Sequence, residues 1–289
     1  MAELRLGREA ARAGEGDMQL GIALRSMGPE ANAALLSECV RAAERAGLAD
    51  VWIQDHIAIP PDDAEGSGGR YLDPLTTLAF LAARTESIGL GLGVLNLPYR
   101  PPLPTAKALA TVQELSNGRV RLGVGVGWME AEFRALGVPR ARRGRTTDET
   151  LAFIRECFAH DVVEAHGQRF LFRPRPARPE IWIGGGAPQA LERTVAFGDG
   201  WLPMGGDPEK LRAPIARLHE LAEEAGRPAP QVKLMTSLPL DEPARAADRL
   251  DALRAVGVTS LVHASRYTSA AGFEEHAAGL AVVARTGSS

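Results

Sequence analysis

Asp55 and His56, adjacent in the sequence, are the first candidates for chemistry in this 289-residue chain. They close the stretch A-G-L-A-D-V-W-I-Q-D-H at 46–56. There a helix ends on Gly47, a buried strand runs from about Asp50 to Gln54, and the acid–imidazole pair follows. An imidazole titrates near neutrality and can give or take a proton, and a neighbouring carboxylate can set its orientation. A plainer reading is an Asp in a turn and a His packed at a strand end. If the strand belongs to a closed parallel barrel, its C-terminal end lies on the active-site face.

A second candidate is I-G-G-G-A at 183–187, with Pro188 opening a helix. Amides of a glycine-rich turn together with a helix amino end can cradle an anion, so Gly184, Gly185, Gly186 and Ala187 are expected to hold phosphate. A turn that requires positive φ would also call for glycine. The stretch R-V-R-L-G-V-G-V-G-W at 119–128 is punctuated by glycine, either as a packing adjustment or to let a flat ring lie against the backbone. Arg142, Arg143 and Arg145 form a basic cluster, either a solvated surface or a partner for an anionic substrate or cofactor tail. Asn96, Trp128 and Arg145 are the candidate substrate-side residues. His160, His263 and Lys107 read as structural or surface residues.

These residues need a scaffold, and the pattern supplies one. Apolar runs at Met18–Arg25, 51–53, Ile88–Leu97, Val120–Val126, 181–183, Trp201–Met204, Val232–Leu238 and Thr259–His263 read as eight strands, each followed by a helical segment. Glycine ends several helices just before the next strand, as in R-A-G, A-F-G and A-V-G. Asp73-Pro74 marks a helix start, with Asp as cap and Pro in the first turn. Alternating β and α predicts a parallel sheet, and eight units predict a (β/α)8 TIM barrel. The long loop from Ile57 to Tyr71 suggests a lid. The proline-rich segment from His160 to Pro179 reads as an irregular excursion between strands four and five. Residues 1–17 are expected to form a flexible extension and residues 18–289 a single barrel domain.

Composition narrows the classes. A formal charge of −3 gives no electrostatic case for nucleic acid or an anionic membrane. No apolar run approaches the roughly 18 residues of a spanning helix, and the first 17 residues lack the apolar core of a secretion signal, so the expected compartment is the cytoplasm. Cys39 and Cys157 lack metal-ligand spacing and read as buried apolar residues. No metal site is expected. Only His56 and His263 stand at strand ends, too few ligands for a metal-dependent hydrolase.

In this order, A-G-L-A-D-V-W-I-Q-D-H, D-P-L-T-T-L-A-F-L-A-A-R-T, I-G-L-G-L-G-V, Q-E-L-S-N-G-R-V-R-L-G-V-G-V-G-W and I-W-I-G-G-G-A-P resemble the luciferase-like flavin and deazaflavin oxidoreductases. The resemblance covers roughly residues 20 to 285. It implies a luciferase-like barrel that binds coenzyme F420, or alternatively FMN, at the strand C-termini. A histidine matching His56 would lie beside the ring, the glycine turn at 184–186 would hold the phosphate, and a bulge at Gly93-Val94 would support the back face of the ring. G-x-G-V on the third strand and G-V-G-x-G-W-x-x-x-E-F on the fourth point to the F420-dependent branch. The sugar-phosphate dehydrogenases of that branch carry an acid where this chain has Trp128, which points away from glucose-6-phosphate.

The expected activity is hydride transfer between F420 and a small organic substrate, with His56 as proton donor or acceptor oriented by Asp55. The alternatives are an FMN-dependent monooxygenase and a non-catalytic barrel that carries the coenzyme. A homodimer is the default expected from the family.

Overall fold

Side chains alternate along a β-strand between its two faces. In this chain the alternation places one set of residues inside a closed ring of strands and the other beneath helices. The computed structural model describes residues 18–64 and 66–286; the expected N-terminal extension, residues 1–17, lies outside them. The barrel strands are β1 (Gln19–Ala23), β2 (Asp50–Ile53), β3 (Gly89–Leu92), β5 (Val120–Gly125), β8 (Glu180–Gly184), β9 (Gly200–Leu202), β10 (Gln231–Thr236) and β11 (Ser260–His263). A two-residue strand, β4 (Leu95–Asn96), follows β3 after a break at Gly93-Val94, whose peptide bond is cis, and pairs with β5.

The order β3-β2-β1-β11-β10-β9-β8-β5 closes through β3 against β5, with parallel pairing throughout. Around it lie α1 (Ala33–Arg45), α2 (Pro74–Ala82), α3 (Pro102–Leu115), α5 (Arg143–Ala159), α6 (Gln189–Phe197), α7 (Pro208–Glu224), α8 (Pro243–Ala255) and α9 (Ala270–Thr286), with a short α4 (Glu130–Leu136) at the mouth. The predicted TIM barrel is the observed fold. Asp73 caps α2 by accepting from the Thr76 amide, with Pro74 in the first turn, as the sequence indicates.

The main core lies between the sheet and the helices and includes the buried thiols of Cys39 and Cys157. A smaller core fills the bore with Ala23, Trp52, Trp182, Leu202 and Val262. Trp52 and Trp182 meet edge to face at 6.4 Å. The Lys233 ammonium lies 4.9 and 4.7 Å from their ring centres and pairs with Asp50, both residues being almost fully buried. A buried charge is tolerated when it is paired, and the ring faces add cation–π attraction.

The strand glycines make room for these bulky groups. A Cβ on Gly91 would stand 2.3 Å from the Trp52 ring, and one on Gly200 would stand 2.4 Å from Trp182. Of the two readings of the 119–128 glycines, packing accounts for Gly123, whose added Cβ would strike the Leu92 carbonyl.

The excursion between the fourth and fifth barrel strands is more regular than expected. It forms an antiparallel hairpin, β6 (Val162–Ala165) with β7 (Gln168–Leu171). The two turn residues, His166 and Gly167, both have positive φ, the geometry that suits a tight two-residue hairpin. No helix of the described residues is long and apolar enough to cross a membrane.

Candidate active site

Because every barrel strand runs the same way, the segments after β2, β5 and β8 emerge on one rim. His56 and the Gly184–Ala187 turn therefore share a face of the fold. The short helix α4, which follows β5, brings Glu132 into the same region. Glu132 is fully buried, and its carboxylate accepts four hydrogen bonds. Oε2 takes one from His56 Nδ1 at 3.1 Å and one from the Tyr99 hydroxyl at 2.9 Å; Oε1 takes the amides of Ile57 at 2.6 Å and Ala58 at 3.1 Å. Burial on its own would raise the carboxyl pKa. The bonds from His56 and the two amides outweigh it and hold the group down at about 2.

An ionised carboxylate only accepts, so His56 Nδ1 carries a proton and Nε2 is left for chemistry. The His56 side chain keeps 18% of its surface exposed, enough to be reached from the mouth. Tyr71 lies 4.9 Å from the imidazole and the exposed Trp128 6.2 Å from it, nearly perpendicular. Gly127, at φ 73°, lets Tyr99 come close to the backbone there: an added Cβ would stand 2.9 Å from its ring and hydroxyl.

The structure corrects the expected role of Asp55. Its carboxylate is gripped by Arg100 at 2.6 and 2.8 Å and by the Asn96 amide at 2.9 Å, while Glu132 takes the place at His56. The reason is directional. Asp55 is adjacent to His56 in sequence, yet successive side chains near a strand end point to different sides. Asp55 turns towards β4 and Arg100, which also reaches Asp73 at the cap of α2. Asn96 is buried and donates its side-chain amide to the Asp55 carbonyl, so it braces the strand end rather than facing a substrate. Arg145 lies on α5 in an exposed pair with Glu149 and does not line the space beside His56. His263 is buried behind the barrel wall, accepts from the Leu238 amide and faces His276, a structural setting as expected.

Above the tryptophan layer, Val94, Met235 and Ala264 are only partly buried and form an apolar floor at the barrel mouth. Met235 and Ala264 also wall a cleft that runs past Gly205, Gly206 and Thr236 to Arg249. The Val94 side chain bridges towards the glycine turn, where a Cβ on Gly184 would stand 2.8 Å from it. In the turn, the Gly185 amide is committed to the Leu202 carbonyl and its own carbonyl to the Trp201 indole. Gly185 has φ 120°, so the alternative reading, that this turn requires positive φ, holds at that one residue. Around Gly186 an added Cβ would meet nothing within 4 Å. Gly186, Ala187 and Gln189 are all exposed, and their amides lie in the turn before α6 and at its first residue.

The loop from Ile57 to Tyr71 is pinned at both ends. Its start is held by Glu132, and its end by an isolated bridge between Tyr71 and Met27 and by amide–carbonyl bonds of Gly28 with Arg70 and Leu72 with Ser26. Sequence reasoning missed Glu132, Tyr99 and Arg100 as site residues. The only trace of Glu132 was the acid in W-x-x-x-E-F, seven residues beyond the last glycine of β5.

The sequence profile of the luciferase-like monooxygenase family matches residues 18–284. An uncharacterized protein of Mycobacterium tuberculosis is 36% identical over 208 residues, covering 66% of this chain and 72% of its own. The 5,10-methylenetetrahydromethanopterin reductase of Methanolobus tindarius is 30% identical over 202 residues, covering 68% of this chain and 58% of its own. Among solved structures, an F420-dependent secondary alcohol dehydrogenase superposes with a TM-score of 0.76 at 14% identity, covering 90% of this chain and 97% of its own, which speaks to the fold alone. On the strength of the profile match, which spans nearly the whole chain, this protein belongs to the luciferase-like monooxygenase family.

Proposed function

We propose that the protein is an F420-dependent oxidoreductase that exchanges a hydride with a small organic substrate. The observation that carries this reading is the buried Glu132–His56 pair at the edge of an apolar-floored barrel mouth. Val94, Met235 and Ala264 offer a flat apolar ring a dry surface, and the amides of the exposed Gly186, Ala187 and Gln189 suit a phosphate group. When bound, a deazaflavin supplies a carbon centre that gives or takes hydride.

The residues of the chain supply the rest. Glu132 holds the imidazole in one orientation with Nδ1 protonated. His56 Nε2 can then accept a proton from an alcohol being oxidised, or donate one to a carbonyl being reduced. Tyr71 and Trp128 stand beside the imidazole, at 4.9 and 6.2 Å between ring centres. The reductase activity named for the Methanolobus relative, 30% identical, supports this choice. The family description favours a second reading, an FMN-dependent monooxygenase.

Fluorescence titration of the purified protein with F420 and with FMN separates the two. Tighter binding of F420, with turnover of alcohols or carbonyls that falls about a hundredfold in His56→Ala, is the expected result. Tighter binding of FMN would reject it, and F420 binding without any turnover would make the protein a carrier.

A further inference from the structure

The arginines at the start of α5 have no counterpart in the chemistry above. Arg140 and Arg142 are exposed, and Arg143 is half-buried and donates only to the Arg140 carbonyl. The first turn of α5 contains no acid. The two carboxylates nearby in α5 are already engaged, Glu149 with Arg145 and Asp148 with Arg193 of α6. Among the described residues, Arg140, Arg142 and Arg143 have no carboxylate within ion-pair distance. Arg142 acts on the Glu149 carboxylate only at longer range, so three neighbouring guanidinium groups with little compensation repel one another, and a polyanion would relieve that repulsion.

The position of this patch identifies the anion. The Arg193–Asp148 pair fastens α6 to α5, and Gly144, flanked by Arg143 and Arg145, packs against the Arg193 guanidinium. Arg193 lies four residues into α6, about 6 Å along the axis from the Gln189 amide that closes the glycine turn. A group bound by its phosphate at that turn therefore has the arginine patch as its neighbour on the rim. FMN ends at its phosphate. F420 continues beyond its phosphate into a chain of glutamates.

Building on the proposed function, we infer that Arg140, Arg142 and Arg143 receive the carboxylate tail of the deazaflavin cofactor, while the Gly184–Ala187 turn holds its phosphate. The patch would then add affinity and select against cofactors that lack a tail, with no part in the chemistry at His56. The arginines would form exposed, salt-screened pairs, each worth only a few-fold in affinity.

Quenching of deazaflavin fluorescence gives the test. Dissociation constants are measured for F420 with several glutamates, for F420 with one, and for the ring alcohol that lacks phosphate and tail. The wild-type protein should favour the longest tail, and the preference over the single-glutamate form should shrink as salt rises. Replacing all three arginines with glutamine should weaken long-tail binding about tenfold while leaving the ring alcohol within about twofold. Replacement with lysine should keep most of the affinity, and unchanged thermal melts would show that both variants fold. Equal wild-type affinity for long and short tails would overturn the inference. So would a triple variant that loses affinity equally for all three ligands. A failure to bind any deazaflavin would instead reject the proposed function, and this inference with it.

Discussion

Glu132 holds the candidate site together at the scale of single residues. One buried carboxylate orients His56, anchors the start of the Ile57–Tyr71 loop and accepts from Tyr99. These duties can be separated by mutation. In Glu132→Gln the amide oxygen can still accept from Ile57 and Ala58, but the negative charge opposite His56 is lost. Turnover should fall about a hundredfold while cofactor affinity moves less than about threefold. Glu132→Ala leaves two buried amides without a partner and should also cost about 3 kcal/mol of unfolding free energy in a urea titration. If Glu132→Gln turns over at the wild-type rate, Glu132 is a structural anchor only.

This residue shows where sequence reading stops. The Asp55-His56 pair was visible because the two are adjacent, and adjacency suggested that they were partners. The actual partner comes from another β/α unit, 76 positions away. Nothing in a local phrase reveals which distant acid a strand-end histidine will face.

Elements were far more legible. Each barrel strand lies where an apolar run predicted it, because burial on both faces leaves a near-continuous apolar signature. The hairpin β6–β7 escaped because it has little buried surface: Val162 and Leu171 are exposed, so no apolar alternation announces it. Its turn residues were its only local signal.

Another element-scale contact makes a prediction about acid. His263, at the end of β11, accepts from the Leu238 amide and so ties down the connection between β10 and α8. Burial, and then the neighbouring His276, push its pKa down from 6.5 to about 4. Unfolded, the imidazole takes up a proton below about pH 6.5; folded, it resists until about pH 4. The unfolded state therefore binds more protons across that window, and stability falls as pH drops through it. At ~1.4 kcal/mol per pH unit the loss reaches about 3 kcal/mol. Glu132 contributes separately, between its ordinary 4.5 and about 2. Urea unfolding at pH 7, 5.5 and 4.5 should show the decline, and His263→Asn should flatten it. An unchanged slope in that variant would place the effect elsewhere.

For the whole molecule, the repeated β/α pattern and the family phrases made the fold legible before any coordinates, since eight strand–helix units leave few other ways to bury both faces of a sheet. The site was legible as a rim and less so as a set of contacts. The Gly184–Ala187 turn and His56 share the face predicted for them, whereas Asn96 and Arg145 serve as a brace and a surface ion pair. Function was legible to the level of the family. The arginine cluster at 140–145 was visible as a phrase, but its nearness to the glycine turn was not, because that depends on the Arg193–Asp148 contact between two separate helices.

The tryptophans and the Lys233–Asp50 pair plug the bore from below, so whatever enters the mouth must enter and leave on the rim side. Two ligands stacked there queue by depth. Under the proposed function, a ring resting on Val94 and Met235 would go in first, and the smaller reactant would settle over it and depart before it. Steady-state analysis should therefore find a compulsory sequence, with oxidised and reduced cofactor competing for the same free enzyme and the substrate product inhibiting non-competitively against cofactor. Random arrival of the two partners would mean that a second doorway opens somewhere in the wall.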